Sequence, residues 1–320
     1  MDKARNELMR AEYIARINKV QDYIESNLSE DFTLLKLSQI ANFSPYHFHR
    51  IFYMMTGETL FQFIQRIRLE KSVFLLVSNP QTPITQIALE CGFANQASFA
   101  KAFKKHFNVS ASKIRAEKSI YRNDNLNADS NLGKVYEDIL RYNNGVRNIH
   151  SSAKYVQPDT QSSVEIKTIS EMSVVYIRHT GPYKQDAVLL EKLYYKLYKW
   201  ADEKSLINND TKWITLFHDS TDLTDDDKLR ISICMTAPED TKVDGAVGKL
   251  VVAGGKYAVG HFQLDDDEFQ KAWSFLCGHW LPGSGYQPDD RLCFELYSYS
   301  SAENHEKKHI VDIYIPIRAL

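Results

Sequence analysis

The 320-residue chain lacks the features that mark secreted, disulfide-stabilised or membrane proteins. Its four cysteines, Cys91, Cys234, Cys277 and Cys293, show no paired spacing, so neither a disulfide framework nor a zinc ribbon is indicated. No run of about eighteen apolar residues occurs, and the first ten residues lack the apolar stretch of a signal peptide. These absences predict a cytoplasmic protein with no membrane partner.

Signatures of metals and phosphate cofactors are also missing. The two runs of three aspartates lack the glycine and the spaced oxygen ligands of a calcium loop. His47 and His49 would point about 200° apart on a helix, which disfavours chelation by the pair. Gly254 and Gly255 form no phosphate-binding motif. We therefore predict no metal and no cofactor.

Charge is divided unevenly along the chain, although the net charge is only −2. Residues 1–122 carry 17 Lys and Arg against 11 Asp and Glu, whereas residues 123–320 carry 22 against 30. A basic N-terminal part suits an anionic partner such as nucleic acid, although a solvated basic face would give the same count. The split favours two domains with different tasks.

The pattern over residues 1–118 predicts an all-α domain of short helices. Thr33 is placed to cap one helix, and Ser44 followed by Pro45 is typical of a helix N-terminus. A longer helix is predicted from Leu60 to Ser78, because Asn79 and a following proline would end it.

Phenylalanines show that this domain contains a repeat. Those at positions 43, 48 and 52 recur at positions 93, 99 and 103, offset by 50 or 51 residues, each set following a short helix and a turn. The spacing predicts two copies of one helix-turn-helix unit. The linking helix of about nineteen residues would span about 28 Å. That is close to the roughly 34 Å turn of duplex DNA, so the two second helices could enter successive major-groove segments.

The outward faces of those second helices carry side chains suited to reading bases and phosphates. Arginine can bind guanine bidentately, glutamine suits adenine, and lysine suits phosphate or guanine. The predicted DNA-binding residues are Tyr46, His47, His49 and Arg50 in the first unit, and Gln96, Ala97, Ser98, Lys101 and Lys105 in the second. Because the two faces differ, the implied double-stranded DNA site is asymmetric.

The segments LSQIANFSPYHFHRIFYMMTGETLFQFIQRIRLEKSVFLL and ITQIALECGFANQASFAKAFKKHFNVSASKIR closely resemble the AraC/XylS family of transcription regulators, over about residues 14–116. Asn42 stands where a turn glycine is usual, which asparagine tolerates in a left-handed conformation. Ala111 and Ile114 replace a more typical proline and tyrosine. The resemblance implies transcription activation through contact with RNA polymerase.

Residues 119–162 are predicted to be a linker, rich in asparagine and serine, with one candidate helix at Lys134–Tyr142. Residues 163–320 predict an α+β domain. Two successive sets of segments each read strand, strand, helix, strand, strand, which indicates an internal duplication. The seam between two such halves is a common place for a small-molecule site.

One predicted strand, Leu292–Tyr299, places a carboxylate among tyrosines. Cys293, Glu295, Tyr297 and Tyr299 share one face of it, and Leu292, Phe294 and Leu296 share the other. An ionised glutamate is rarely buried without a partner, and a cationic ligand is one such partner. Exposure of Glu295, or pairing with a basic neighbour, is the alternative from spacing alone.

The phrases VVYIRHTGPY, VAGGKYAVGHF, WLPGSGY, RLCFELY and VDIYIPI resemble the GyrI-like effector-binding domain of Rob-type regulators, over about residues 163–320. The resemblance implies that Glu295, in FELY, is the central acid of a pocket for a small-molecule effector. Tyr183 of GPY, Trp280 of WLP and Tyr297 are further candidate ligand-binding residues.

Together these features predict a non-enzymatic transcription regulator that senses a small cationic or hydrophobic molecule. Two alternatives remain open. Some GyrI-like domains hydrolyse electrophilic small molecules, and Glu295 could serve there as a general base with Tyr183 or Tyr297 as hydrogen-bond donor. The C-terminal domain could instead act only through protein contacts.

Overall fold

The computed structural model describes residues 2–79, 81–121, 163–184, 186–220, 223–265, 268–297 and 308–319. They fall into two compact units, one helical and one built on a sheet, and each is described by itself. Most of the predicted linker, including its candidate helix, lies outside the described residues, so the boundaries at 118 and 162 stay predictions. No helix among the described residues is long and apolar enough to cross a membrane.

The helical unit follows the predicted order of short helices. Its elements are α1 (Asp2–Ser26), which belongs to this unit from Glu12 on, α2 (Leu34–Ile40), α3 (Pro45–Thr56), α4 (Leu60–Ser78), α5 (Ile84–Glu90), α6 (Gln96–Phe107) and α7 (Ala111–Tyr121). The pairs α2–α3 and α5–α6 are the two helix-turn-helix units, and α4 joins them. The predicted all-α domain with two such units is confirmed.

Side-chain caps fix where three helices of the two units begin. The side chains of Thr33, Ser44 and Asn95 each accept a hydrogen bond from a backbone N–H in the first turn of α2, α3 and α6. Asn42, in the turn before α3, has φ of 54°, the left-handed conformation that asparagine tolerates better than most residues with a side chain.

The repeated phenylalanines face the interior of both units. Phe48 and Phe52 of α3 are fully buried, and the Phe52 ring packs against those of Phe48 and of Phe63 in α4. In α6, Phe99 and Phe103 are fully buried, with ring centroids 5.3 Å apart. Because α3 and α6 bury equivalent phenylalanines, equivalent positions on the opposite face of each helix are turned to solvent.

The described residues of the sheet unit form nine strands, with one main helix in each half. The strands are β1 (Ser163–Ile169), β2 (Met172–Thr180), β3 (Trp213–Phe217), β4 (Arg230–Thr236), β5 (Gly248–Val252), β6 (Gly255–Leu264), β7 (Tyr286–Pro288), β8 (Phe294–Tyr297) and β9 (His309–Ala319). The helices are α8 (Ala187–Glu203) in the first half and α9 (Phe269–Ser274) in the second.

The predicted duplication is confirmed, with an exchange of edge strands between the halves. The antiparallel strand order is β1-β6-β9-β8-β3-β4-β2-β5, with β7 paired to β9 off this path. The order is symmetric, because β1 pairs with β6 of the second half while β5 pairs with β2 of the first. The pair β3–β8 therefore lies on a pseudo-twofold axis at the centre of the sheet.

The ladder register identifies the residues on that axis. We align the two halves at the first residues of β2 and β6. Strand pairing through β4 in the first half and β9 in the second then places Ile214 of β3 at the position that Phe294 occupies in β8. Thr215 and Glu295 are then equivalent as well. They also lie directly opposite each other on β3 and β8.

The second half departs from the predicted pattern after α9. Instead of one helix ending near Gly278, the chain continues from α9 into a π-helical segment, Phe275–Trp280, and a short α10, Leu281–Gly283. The small strand β7 follows and was not predicted. π-Helical segments are rare and frequently lie at functional sites.

Candidate functional site

We call α3 and α6, the second helices of the two helix-turn-helix units, the first and second reading helices. The first, α3, presents a polar face next to its buried phenylalanines. His47, His49 and Arg50 are exposed, as predicted for residues that reach into a groove. Tyr46 lies in the first turn of α3, but its side chain is outside the described part of the structure. The Nδ1 atom of His47 is 3.1 Å from the capping hydroxyl of Ser44, so the start of the helix orients this imidazole.

The second reading helix, α6, exposes all five predicted residues, Gln96, Ala97, Ser98, Lys101 and Lys105. The Thr85 hydroxyl of α5 donates to Gln96 Oε1 at 2.8 Å, which leaves the Gln96 amide hydrogens available to another acceptor. The Ser98 hydroxyl donates to the Asn95 carbonyl, also at 2.8 Å, so its oxygen remains free to accept. Each unit holds part of its reading face in place with its own polar side chains.

A buried ion network fixes the junction between α3 and α4. Glu58, between the end of α3 and the Thr59 cap of α4, accepts hydrogen bonds from Arg66 at 2.6 and 3.2 Å. Arg66 also pairs with Glu70 one turn further along α4, at 3.4 Å. Sequence reasoning did not single out these residues. Arg66 lies eight residues from Glu58 with a helix cap between them, and this spacing produces no periodic pattern in the sequence.

Glu295 is the centre of the candidate ligand site in the sheet unit. It is only 5% exposed, yet no lysine or arginine of the described residues forms an ion pair with it. Trp273 Nε1 donates to its Oε1 at 2.6 Å, and the Tyr297 hydroxyl donates to its Oε2 at 2.7 Å. Burial raises the pKa of Glu295, while these two hydrogen bonds and the nearby His309 oppose the shift.

Thr215 and Tyr194 extend this arrangement into the first half. The Tyr194 hydroxyl of α8 lies 2.8 Å from Thr215 Oγ1. The rings of Tyr194 and Tyr297 meet edge to face, with centroids 5.9 Å apart. We call Glu295, Tyr297, Trp273, Thr215 and Tyr194 the Glu295 cluster.

Aromatic rings surround the cluster on several sides. Phe217 packs edge-on against Trp273 at 5.5 Å, and Phe269 lies 6.4 Å from Tyr297. Aromatic faces and a carboxylate together can hold an organic cation through cation–π attraction and charge. The chemistry of the cluster therefore favours a cationic aromatic guest over an anionic one.

The remaining predicted ligand residues differ in their placement. Tyr183 is 7% exposed, its ring centroid is 6.4 Å from that of Phe217, and its hydroxyl has no hydrogen-bond partner among the described residues. Burial raises the Tyr183 pKa, reinforced by Asp219 and Glu295, so this hydroxyl stays protonated. Trp280 lies in the π-helical segment and packs against the apolar group that includes Leu276, rather than bonding Glu295.

Trp273, Thr215 and Tyr194 were missed by sequence reasoning. Trp273 follows Phe269 by one helical turn, so the spacing could have placed it on the sheet side of its helix. Thr215 and Tyr194 offered no such signal, because a threonine in a strand and a tyrosine in a helix usually only pack. Their part depends on contacts between distant segments.

Comparison with known proteins adds independent support for both units. A model of a helix-turn-helix domain matches residues 37–117, and a model of the GyrI-like small molecule binding domain matches residues 162–318.

Individual relatives match one part of the chain each. The DNA gyrase inhibitor of Escherichia coli (strain K12) is 29% identical over 143 residues, 44% of this chain and 88% of that protein. The bifunctional transcriptional activator/DNA repair enzyme AdaA of Bacillus subtilis (strain 168) is 33% identical over 99 residues, 31% of this chain and 46% of that protein. A structure of an EcmrR–DNA complex covers 90% of this chain and 99% of that chain at 13% identity, with a TM-score of 0.43.

The two units and the two matching domain models define a class of protein, a DNA-binding transcriptional regulator that also carries a domain for small molecules. Within that class, the chain is an AraC-type regulator with a C-terminal GyrI-like small molecule binding domain. The family expected from the sequence is confirmed.

Proposed function

We propose that this regulator activates transcription when a small organic cation binds at the Glu295 cluster. The helical unit would bind an asymmetric promoter site in double-stranded DNA, and the bound regulator would contact RNA polymerase. A ligand can change regulation only if it binds one state of the protein better than another. The proposed regulator works in the cytoplasm and is not an enzyme.

On DNA, side chains of the two reading helices would contact base edges and phosphates. Arg50 of α3 and Gln96 of α6 would contact base edges, with Tyr46, His47, His49, Ala97 and Ser98 beside them. Lys101 and Lys105 would contact phosphates and supply affinity that depends on salt. The 19-residue α4 sets the spacing of the two contacts.

In the sheet unit, the buried Glu295 carboxylate carries the proposal, because it has no lysine or arginine partner among the described residues. A ligand cation would neutralise Glu295, and Tyr297 and Trp273 would form the walls of the site. Because Glu295 is only 5% exposed, an entering ligand must displace part of the surrounding aromatic shell. Tyr183 would donate its unused hydroxyl to a ligand acceptor, and Trp280 would line the outer edge.

The decisive experiment maps bound DNA across the genome, with and without methyltriphenylphosphonium as a test cation. We expect discrete asymmetric sites whose occupancy or transcriptional output changes with the cation, and we expect Glu295→Gln to remove that change while leaving the sites intact. Lack of any specific site at physiological salt would contradict the proposal, as would an unchanged response in the variant.

A second function is supported by the relatives called DNA gyrase inhibitors, which match the sheet unit. Under this alternative the sheet unit acts through contact with a protein. A supercoiling assay with purified gyrase tests it, because the full chain would inhibit gyrase and Glu295→Gln would inhibit equally well.

The predicted hydrolase alternative places a water on Glu295, with Tyr183 or Tyr297 as hydrogen-bond donor. In this structure each Glu295 oxygen already accepts one hydrogen bond, from Trp273 or from Tyr297, so a water would have to share an oxygen with one of them. Incubation with a strained epoxide and detection of the diol separates this alternative from sensing.

A further inference from the structure

The side chain of Arg68, near the middle of α4, binds the backbone of the loop that leads into α2. Its Nε donates to the Leu28 carbonyl at 3.0 Å, and its Nη2 donates to the Glu30 carbonyl at 2.6 Å. The guanidinium also lies 5.4 Å from the ring centroid of Phe32. Leu28 and Phe32 pack in the core formed around α2 and α3. Arg68 therefore holds the first helix-turn-helix unit.

The same guanidinium lies against the turn of the second helix-turn-helix unit. Gly92, between α5 and α6, has φ of 80°, which side chains rarely adopt. A Cβ at Gly92 would lie 2.6 Å from the guanidinium carbon of Arg68 and 2.2 Å from the Leu28 carbonyl oxygen. Only a residue without a side chain allows this approach, so the loop before α2, Arg68 and the turn before α6 meet at one place. We call Arg68, Leu28, Glu30 and Gly92 the Arg68 joint.

The repeat supplies an equivalent arginine that does not cross between the units. Arg16 of α1 and Arg68 of α4 each lie ten residues before the end of their helix. Arg16 Nη1 donates to the carbonyl of Asn42 at 2.9 Å, and its guanidinium lies 5.1 Å from the Phe43 ring centroid. Asn42 and Phe43 form the turn of the first unit. Arg16 thus supports the turn of one unit, whereas Arg68 contacts both units.

A second contact between the units removes a freedom that α4 alone would leave. A single helix can bend at its two ends, but a helix together with the Arg68 joint holds α3 and α6 at one separation. Linked binding modules gain affinity only where the geometry lets both engage at once. Each base pair inserted between two DNA segments moves one of them by about 3.4 Å and rotates it by about 35°. A rigid pair of units cannot follow that change.

We propose that Arg68 is a positioning residue that locks the two helix-turn-helix units together and thereby sets the number of base pairs that the regulator accepts between the two halves of its DNA site. This inference rests on the proposed entry of α3 and α6 into DNA. Arg68 acts through backbone carbonyls and need not touch the DNA. Gly92 contributes by leaving room for the contact.

The test measures binding of the purified full-length protein by fluorescence anisotropy. The duplexes carry the mapped site, or the same site with one or two base pairs added or removed between the two protected segments. Arg68→Lys keeps the charge but loses the planar fork that binds two carbonyls, and Arg68→Met removes both. Arg16→Met is the matched control. Duplexes that carry only one of the two segments measure each unit by itself.

Wild type should bind the natural spacing about a hundredfold more tightly than a spacing altered by one base pair. In Arg68→Lys and Arg68→Met this ratio should fall to about tenfold or less, with binding to single segments unchanged. Arg16→Met should keep the wild-type ratio. A wild-type ratio in both Arg68 variants would overturn the inference, even if their overall affinity falls, because Arg68 would then only stabilise the fold. Indifference of the wild type to spacing would overturn it as well, while binding at the mapped sites would leave the proposed regulator intact.

A second pair of variants tests the close approach at Gly92. Gly92→Ala should lower the spacing ratio, because its Cβ collides with the joint. Gly57→Ala is the control for backbone strain, since Gly57 has φ of 75° but its Cβ would meet no atom of the described residues within 4 Å, apart from its chain neighbours. An equal effect of the two changes on the ratio would contradict the role of Gly92.

Hydrogen exchange of the free proteins tests the joint without DNA. Backbone amides of residues 27–32 and 91–95 should exchange faster in Arg68→Lys than in wild type or Arg16→Met. If no specific DNA site is found, the proposed reading of DNA is wrong, and faster exchange at both segments would still establish the Arg68 joint. Unchanged exchange at both segments would overturn the joint itself.

Discussion

Thr215 and Glu295 face each other across the central strand pair of the sheet, at equivalent positions of two duplicated halves. A duplication starts with the same residue at both places, so the present pair is an asymmetry superimposed on a symmetric frame. The two helices repeat the asymmetry, because Tyr194 of α8 bonds Thr215 while Trp273 of α9 bonds Glu295. One charge at the axis, rather than two, avoids the repulsion that a pair of facing carboxylates would create.

The buried charge should make the stability of the sheet unit depend on pH. Burial raises the folded-state pKa of Glu295, so the folded chain keeps a proton in a pH range where the unfolded chain has lost it. The stability gained from that proton is fully present below the unfolded pKa, about 4.3, and is lost as pH rises through the folded pKa.

Glu295→Gln cannot titrate at this position, so it lacks this contribution. As pH rises above about 4.3, its midpoint of thermal unfolding should therefore fall less than that of the wild type. Circular dichroism of both proteins over a pH series measures the difference. Parallel pH profiles would show that Glu295 titrates alike in the folded and unfolded chain.

The fully buried pair of Arg230 and Asp219 should carry a much larger stability effect. Arg230 donates to Asp219 from its backbone N–H at 2.8 Å and from its guanidinium at 2.8 and 2.5 Å. Asp219→Ala leaves the guanidinium buried without this carboxylate and should cost about 3 to 5 kcal/mol.

A matched exposed pair provides the control for this change. Lys228 and Asp225 are joined at 2.6 Å in the same unit, but Asp225 is largely exposed. Asp225→Ala should change stability by less than about 1 kcal/mol. Similar thermal unfolding of the two variants would contradict the role assigned to burial.

Much of the helical unit could be predicted because its signals are local. Ser44, Asn95 and Asn42 act within three or four residues of their own position, and the inward phenylalanines repeat at helical spacing. The exchange of β1 and β5 between the halves gave no such signal, because the residue pattern of an edge strand does not depend on which strand it pairs with. The contact of Glu295 with Trp273 escaped prediction for the same reason, as Trp273 lies 22 positions away on a different element.

The cap of the second reading helix should separate stability from DNA binding. Asn95 Oδ1 accepts from the Ser98 backbone N–H at 2.8 Å, and Asn95→Ala removes that bond at a cost of about 1 kcal/mol. Asn95→Asp keeps the cap and the stability. Its added negative charge beside the reading face should still weaken binding to DNA. Thermal unfolding and a DNA titration on both variants check the two effects, and equal DNA affinity in wild type and Asn95→Asp would place this helix end away from the phosphates.

The two reading helices should also differ in how they contribute to binding. Lys105→Ala should weaken binding to all sequences alike and lower the slope of log affinity against log salt by about one. Arg50→Ala should cost about 1 to 3 kcal/mol on the preferred site and relax the choice at a single base pair, because a bidentate contact reads that pair. Fluorescence anisotropy over a salt series, with a set of single-base variants of the mapped site, distinguishes the two. Lys242→Ala, an exposed lysine of the sheet unit, should change neither quantity. A uniform loss on every sequence in Arg50→Ala would mean that Arg50 binds a phosphate, and base choice in the first unit would then fall to its histidines.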